Sequence, residues 1–178
     1  NKLYSAYAST VTGGVYNSVY VSWGGILGGN GNKITSKKHG YISGGAYNYM
    51  TGYVATIGGG LYHSAGGHGS TVTGGYANSA LAAHSLVSGG LDNLASGYSS
   101  YVGGGTYNTA TGSYSTVGGC SDNKASAPYA TIGGGHANYA TSYAATVTGG
   151  YYNDAYGSYS TVSGGKSNSA LGSYATVG

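Results

Sequence analysis

Apolar β-branched residues recur along this chain at a fixed interval of fifteen residues, from Ile42 to Val177. The same interval separates Val11 from Ile26, whereas the step from Ile26 to Ile42 is sixteen, which places a one-residue insertion near residues 33–41. A strict period in so short a unit is typical of stacked repeats. We number each unit from this residue as position 1. The predicted core file at position 1 includes Val72, Val87, Val102, Val117, Ile132, Val147 and Val162.

Small or aliphatic residues alternate with polar residues on both sides of position 1. Ser160 and Val162 fall on one side of the chain, and Thr161 and Ser163 fall on the other. This is the period-two pattern of a strand with one buried face. A second stretch around position 9 alternates in the same way, and glycine at positions 3 and 4 marks a bend between the two strands. A looser bend is predicted at positions 11 to 13.

These patterns predict an all-β fold, a single continuous β-solenoid over residues 1–178 with no separate domains. Each 15-residue coil contributes two short strands, and the chain contains 11 to 12 coils. Because coils stack at the inter-strand distance of about 4.8 Å, the predicted rod is roughly 50 to 60 Å long. The inward residues are Val or Ile at position 1, Ala at 9 and Ser or Ala at 14, so we expect a flattened roll with closely spaced sheets.

Asparagine occupies position 7 of every unit except one, where His63 replaces it. A buried amide without partners is costly, so we predict a hydrogen-bonded ladder in which each amide donates to a neighbouring coil. Glycine at positions 3 and 4 indicates positive φ or close backbone approach, and Cys120 at position 4 is expected to be mildly strained. The predicted ladder includes Asn78, Asn93, Asn108, Asn123, Asn138, Asn153 and Asn168.

The composition narrows the class of partner. The chain has 38 Gly and 22 Tyr, and only six Lys or Arg and three Asp or Glu. The few lysines form no continuous stripe, so we expect no nucleic-acid partner. No apolar run is long enough for membrane insertion, and the single cysteine excludes an internal disulfide framework.

The repeat resembles a known family of surface fibres. The string A-x-G-x-Y-S-T-V-x-G-G-x-x-N runs from Ala110 to Asn123, with Cys120 in place of the second paired glycine. It is similar to the left-handed β-roll head repeats of YadA-like trimeric autotransporter adhesins and to the repeats of similar surface fibres. The resemblance implies left-handed winding and surface exposure, and it is compatible with a threefold bundle. This chain departs from the family in using fifteen residues per coil instead of fourteen, and in its high tyrosine content.

Threonine predominates at position 15, on the outward face of the strand that carries position 1. Three interpretations of this flat face remain open: a packing face for another chain, a track of O-linked glycans, and an ice-binding plane. We expect packing. The residues concerned include Thr71, Thr116, Thr131, Thr146 and Thr161.

Tyrosines concentrate at the two bends, at positions 5 and 6 and at positions 12 and 13. Stacked rings along an edge supply a large amphipathic contact area, which suits contact between subunits or stacking on carbohydrate. The alternative is that the rings stack on one another and shield the glycine backbone. The predicted contact edge includes Tyr107, Tyr114, Tyr129, Tyr151, Tyr152, Tyr159 and Tyr174.

Catalytic and metal-binding interpretations find little support in the sequence. Asp92 and Asp122 share position 6 two coils apart, about 10 Å, but a convex bend offers no cleft. His63, His68 and His84 fall on neighbouring coils, yet a stable zinc site needs three or four ligands in a set geometry. We therefore predict no catalytic residues, no metal site, no cofactor and no enzyme activity.

The functional expectation is a structural one. We expect an extracellular or cell-surface fibre or filament subunit that assembles with copies of itself by end-to-end or lateral packing. The first alternative is an adhesin head that binds glycans or surfaces through its tyrosine-lined edges. The second is an ice-binding protein that uses the threonine face.

Overall fold

The computed structural model describes residues 1–4, 7–35 and 39–178. In these residues the fold is all-β, a solenoid of parallel stacked coils with two strands per coil and one strand in each of two twelve-stranded sheets. The first sheet contains β1 (Lys2–Leu3), β3 (Ser18–Val19), β5 (Lys33–Ile34), β7 (Tyr49–Met50), β9 (Ser64–Ala65), β11 (Ser79–Ala80), β13 (Leu94–Ala95), β15 (Thr109–Ala110), β17 (Lys124–Ala125), β19 (Tyr139–Ala140), β21 (Asp154–Ala155) and β23 (Ser169–Ala170). The second contains β2 (Thr10–Val11), β4 (Gly25–Ile26), β6 (Tyr41–Ile42), β8 (Thr56–Ile57), β10 (Thr71–Val72), β12 (Leu86–Val87), β14 (Tyr101–Val102), β16 (Thr116–Val117), β18 (Thr131–Ile132), β20 (Thr146–Val147), β22 (Thr161–Val162) and β24 (Thr176–Val177).

The strands pair in parallel with like residues opposite each other. Val102 pairs with Val117 and Ala110 with Ala125, each fifteen residues further along the chain. Since every coil repeats the same backbone path, each position of the unit forms a straight file along the rod. The predicted fold class is therefore confirmed, and side chains at one position are neighbours along the rod.

The register places two insertions in the N-terminal part of the rod. Gly25 pairs with Tyr41, sixteen residues on, so the predicted extra residue lies between β5 and β6. Part of that segment, residues 36–38, lies outside the described residues. A second sixteen-residue step pairs Lys2 with Ser18. This insertion was not predicted because it lies upstream of Val11, the first residue at position 1. The only residue at an apolar core position that precedes it is Leu3, at position 9.

The core is narrow and built from small side chains. Every residue of the predicted core file at position 1 is 0% exposed, and Ala at position 9 packs against it from the other sheet. The buried apolar residues divide into two clusters, one ending at Ala65 and the other beginning at Val72. Longer residues, including Met50 and Ile34, fill position 9 only in the N-terminal cluster.

Positions 4, 6 and 13 have positive φ throughout the described coils. Position 4 is glycine with φ between 78° and 96°, as at Gly14 and Gly29, except at Cys120, where φ is 61°. Positions 6 and 13 also have positive φ but mostly carry side chains, as at Tyr107 (57°) and Tyr114 (59°). At these two positions the backbone N–H turns back to bond the preceding coil. Tyr114 donates to the carbonyl of Tyr98, for example.

The prediction of positive φ or close backbone approach at both paired glycines is confirmed at position 4 but only in part at position 3. Position 4 has positive φ throughout the described coils, but at position 3 the value of φ varies. Gly104 has a φ of 142°, whereas Gly74 has no positive φ and a side chain there would meet open space. Nothing in the structure explains why Gly74 is glycine.

Candidate functional site

The asparagine at position 7 is buried at the bend between the two strands and uses its whole amide group. Asn108 Oδ1 accepts the backbone N–H of Asn123 in the next coil at 3.0 Å. Its Nδ2 donates to the carbonyl of Gly104 in its own coil and to that of Cys120 in the next, both at 2.8 Å. The same three bonds recur at the other predicted ladder residues from Asn78 to Asn153, and Asn168 keeps only the bond to Gly164 in its own coil. Each of these amides from Asn78 to Asn153 therefore bonds to the following coil both as a donor and as an acceptor.

His63 takes the place of one ladder amide and preserves only part of its bonding. Its Nδ1 accepts the backbone N–H of Asn78 at 3.0 Å, and its own backbone N–H donates to Asn48 Oδ1 at 2.9 Å. The Nε2 atom is buried without a hydrogen-bond partner. Burial lowers the pKa of His63 below its ordinary value of 6.5, and the nearby backbone of Asn78 and Gly75 acts in the opposite direction without offsetting it. An accepting Nδ1 also requires the neutral ring, so the structure holds His63 uncharged.

Glycine at position 4 leaves room for the hydrogen bonds of the asparagine ladder. A Cβ added to Gly105 would collide with the carbonyl oxygen of Cys120 and would lie 2.8 Å from Asn108 Nδ2. Cys120 itself sits at this position with a φ of 61° and is exposed. Its positive φ agrees with the expected strain, and its thiol is at the surface and not buried in the bend.

An unbroken file of aromatic rings runs along the edge formed by positions 11 to 14. In the described residues every coil contributes one ring to this file, either from position 12 or from position 13. Adjacent ring centroids lie between 5.1 and 6.1 Å apart. We call this file the aromatic edge; its members are Tyr7, Trp23, His39, Tyr53, His68, His84, Tyr98, Tyr114, Tyr129, Tyr143, Tyr159 and Tyr174.

The packing of each pair depends on which position supplies the rings. Tyr114 and Tyr129 both come from position 13, and their planes are 6° apart. Tyr143 comes from position 12, and its ring meets Tyr129 at 66° and Tyr159 at 65°. Two residues at the same position of adjacent coils are related by translation, so their rings are parallel. Rings that come from different positions meet edge to face. Both arrangements are favourable for aromatic pairs.

The sequence analysis identified only part of this edge. Positions 12 and 13 were predicted together as one tyrosine-rich bend, but only tyrosines were counted there. Trp23, His39, His68 and His84 occupy ring sites in the same file, and the His68 and His84 centroids are 5.4 Å apart. Counting tryptophan and imidazole as rings would have revealed one aromatic residue per coil.

The opposite edge, at positions 5 and 6, carries rings in short groups only. Tyr47, Tyr62 and Tyr76 stack in one group, and His136, Tyr151 and Tyr152 form another. Of the predicted contact residues, Tyr107 lies on this edge between the coils of Asp92 and Asp122, and it is 53% exposed. The predicted contact residues therefore divide between two edges, with Tyr107, Tyr151 and Tyr152 on the opposite edge and the others on the aromatic edge.

Two ionisable groups near the C-terminal coils have shifted pKa values. The neighbouring Tyr151 raises the pKa of Tyr152 by its charge and by a side-chain hydrogen bond, with smaller effects from burial and Asp122. Partial burial on the outer face of the first sheet raises the pKa of Asp154.

A serine, a histidine and an aspartate meet on the opposite edge, but they are not arranged as a catalytic triad. Ser121 Oγ lies 2.7 Å from His136 Nδ1, and Asp122 Oδ2 lies 3.5 Å from the same nitrogen. A triad requires the nucleophile and the carboxylate on different ring nitrogens. The cluster lies on the surface, where the side chains of His136 and Asp122 are 40% and 46% exposed.

The histidines considered for a metal site are separated by the fold. His63 lies inside the ladder, whereas His68 and His84 stack on the surface of the aromatic edge. Within residues 1–4, 7–35 and 39–178 there is no group of three or more His, Cys, Asp or Glu residues that could hold a metal ion.

The threonine file is flat over its C-terminal part and interrupted further upstream. Thr116, Thr131, Thr146 and Thr161 pair in succession and are half-buried by one another. Leu86 and Tyr101 separate Thr71 from this run. The remaining predicted packing residue, Thr71, therefore belongs to a shorter patch with Thr56.

The described part of the chain encloses no pocket. It also has no helix that is long and apolar enough to cross a membrane. The sequence matches no protein-family model and no curated protein.

Proposed function

We propose that this chain is the shaft of an extracellular fibre, a rigid structural rod that assembles with copies of itself. The observation that carries the proposal is the unbroken stacking of coils in both sheets from Lys2 to Val177. Backbone bonds and the asparagine ladder link each coil to the next, so the rod resists bending and keeps one cross-section. A stiff segment of constant section is what a fibre shaft requires.

The surface chemistry supports packing between copies. The flat run of half-buried threonines from Thr116 to Thr161 presents small side chains that leave a second chain free to approach closely. With nine fixed charges on 178 residues, little electrostatic repulsion opposes association. We propose this run as one packing face of the fibre.

A glycan-binding adhesin is supported less well. Carbohydrate stacking uses the flat face of an aromatic ring, and in the parallel pairs Tyr114–Tyr129 and Tyr159–Tyr174 each ring covers one face of its partner. Tyr107 is an exposed ring for which the structure gives no aromatic neighbour. Glycan-array binding that is lost on Tyr107→Ala would favour the adhesin over the fibre.

Electron microscopy and small-angle X-ray scattering of the purified 178-residue chain test the proposal. We expect rods roughly 50 to 60 Å long that form longer or wider particles as concentration rises. In the source cells, antibody against the chain should label intact, unpermeabilised surfaces. Particles that stay single at all concentrations, or labelling only after permeabilisation, would contradict a fibre role outside the cell.

A further inference from the structure

Within the described residues, the aromatic edge combines an unbroken file of rings with the absence of any fixed charge. No residue at positions 11 to 14 carries a fixed charge except Lys37 and Lys38, which lie outside the described residues. From Tyr98 to Tyr174, six successive coils each present a tyrosine. We call these six residues the tyrosine segment: Tyr98, Tyr114, Tyr129, Tyr143, Tyr159 and Tyr174.

We propose that the aromatic edge is a docking surface for a second copy of this chain, so that two rods lie side by side along their tyrosine segments. This inference rests on the proposed fibre function and identifies the surface that two shafts share. The threonine run lies on a different side of the rod and provides contact in a second direction.

The area available on this edge is sufficient for a stable dimer. The inner members of the tyrosine segment are between 44% and 49% exposed although each contacts a ring on both sides. Since a fully buried aromatic side chain covers about 150 to 250 Å², each ring offers about 100 Å², and the six rings of the tyrosine segment offer roughly 600 Å² on each rod. Two such segments bury roughly 1,200 Å² in total, which is the lower end of the range for stable protein interfaces.

The edge is also complementary to itself. All coils repeat at the same spacing, so a second rod with an identical edge matches ring for ring over the whole length. Rings held by their neighbours lose little side-chain freedom on docking. Tyrosine hydroxyls at the rim keep contact with water or with each other, which avoids the cost of burying unpaired polar groups.

The opposite edge lacks these properties. Asp92 and Asp122 lie two coils apart on it, and Lys166 follows nearer the C-terminal end. When two such edges meet, charges of one sign are brought close together or removed from water without partners, which is unfavourable. Of the two edges, we therefore assign the contact between copies to the aromatic edge.

The test compares charge placed on the two edges. Tyr114→Lys with Tyr143→Lys adds two charges to the aromatic edge, and Tyr107→Lys with Tyr152→Lys adds the same two charges to the opposite edge. Sedimentation velocity measures self-association, and the cross-sectional radius of gyration from X-ray scattering distinguishes lateral from end-to-end growth. We expect lateral association of the aromatic-edge variant to be at least tenfold weaker, and that of the control to lie within twofold of the unsubstituted chain.

A second variant keeps every ring and so preserves the stack. Ser113→Lys with Ser158→Lys adds charge at position 12 beside Tyr114 and Tyr159, and we expect it also to weaken lateral association at least tenfold. Equal weakening by the opposite-edge control overturns the inference. Rods that lengthen without widening also overturn it while leaving the fibre proposal in place, whereas particles that never associate overturn both.

Discussion

At the scale of the residue, His63 shows how one substitution weakens a repeated bond pattern. An asparagine at position 7 makes two donor bonds through Nδ2, but the imidazole at residue 63 makes none of them and keeps only the acceptor role through Nδ1. Protonation of Nδ1 removes that last bond and places a charge in the narrow interior. Because burial lowers the pKa of His63, the unfolded chain binds this proton more readily than the folded chain.

We predict that His63→Asn stabilises the rod and reduces its sensitivity to acid. The two regained donor bonds contribute about 1 to 2 kcal/mol. In the parent chain, the contribution of His63 to stability is fully present above its ordinary pKa of 6.5 and is lost as pH falls from there through the lowered pKa. Urea unfolding midpoints at pH 8 and pH 5 measure the difference, which should shrink in the variant.

The matched control for this prediction is His84→Asn, which removes an exposed imidazole from the aromatic edge. It should leave the pH-dependent difference in place. If His63→Asn and His84→Asn change that difference equally, the buried ring is not its source.

At the scale of the element, the bend between the two strands depends on the ladder as much as on glycine. Asn108 accepts one backbone N–H and donates to two carbonyls, so its removal leaves buried groups of three residues without their side-chain partner. The strands themselves are only two residues long. Since so short a strand forms few backbone hydrogen bonds to its neighbours, the bend determines how accurately the coils align.

We predict that Asn108→Ala lowers the free energy of unfolding by about 3 kcal/mol, because a buried donor and two acceptors lose a partner. Asn168→Ala is the matched control, since the side chain of Asn168 donates only to Gly164. Chemical denaturation should show a loss of about 1 kcal/mol for the control. Equal losses at the two sites would show that the inter-coil bonds contribute little.

At the scale of the whole molecule, the stacking of similar coils aligns the residues of one position into a continuous surface. Thr116 is one member of a flat run, and its neighbours in the run lie fifteen and thirty residues further along the chain. A change at one member therefore alters a face shared by many coils. Folding and assembly respond differently, since the outward side chain contributes little to the core.

We predict that Thr116→Lys leaves the chain folded and weakens assembly. The outward strand position accepts lysine, as Lys124 in the other sheet shows, so the free energy of unfolding measured in urea should stay within about 0.5 kcal/mol of that of the parent. Light scattering should show reduced assembly, because a long charged side chain interrupts the flat face. The control is Ser79→Lys on the other sheet, and if it reduces assembly equally the threonine run is not a specific packing face.

The solenoid could be predicted from the amino-acid sequence alone. The fifteen-residue period, the alternation around Val102 and the asparagine at position 7 each express a local requirement: a small apolar side chain facing inward, and an amide where backbone groups need partners. Such requirements repeat with the coil and can be read from one unit. The replacement of a ladder asparagine by His63 was predicted in the same way, because counting along the fifteen-residue repeat places His63 at position 7.

Which residues contact each other between coils depends on the tertiary structure. Rings at positions 12 and 13 form one continuous edge because the bend places both positions on the same side of the rod, and a change of position turns the next ring edge to face. Positive φ at Tyr107 and Tyr114 likewise depends on hydrogen bonds to the preceding coil. These features arise from stacking, and a single unit of sequence does not contain them.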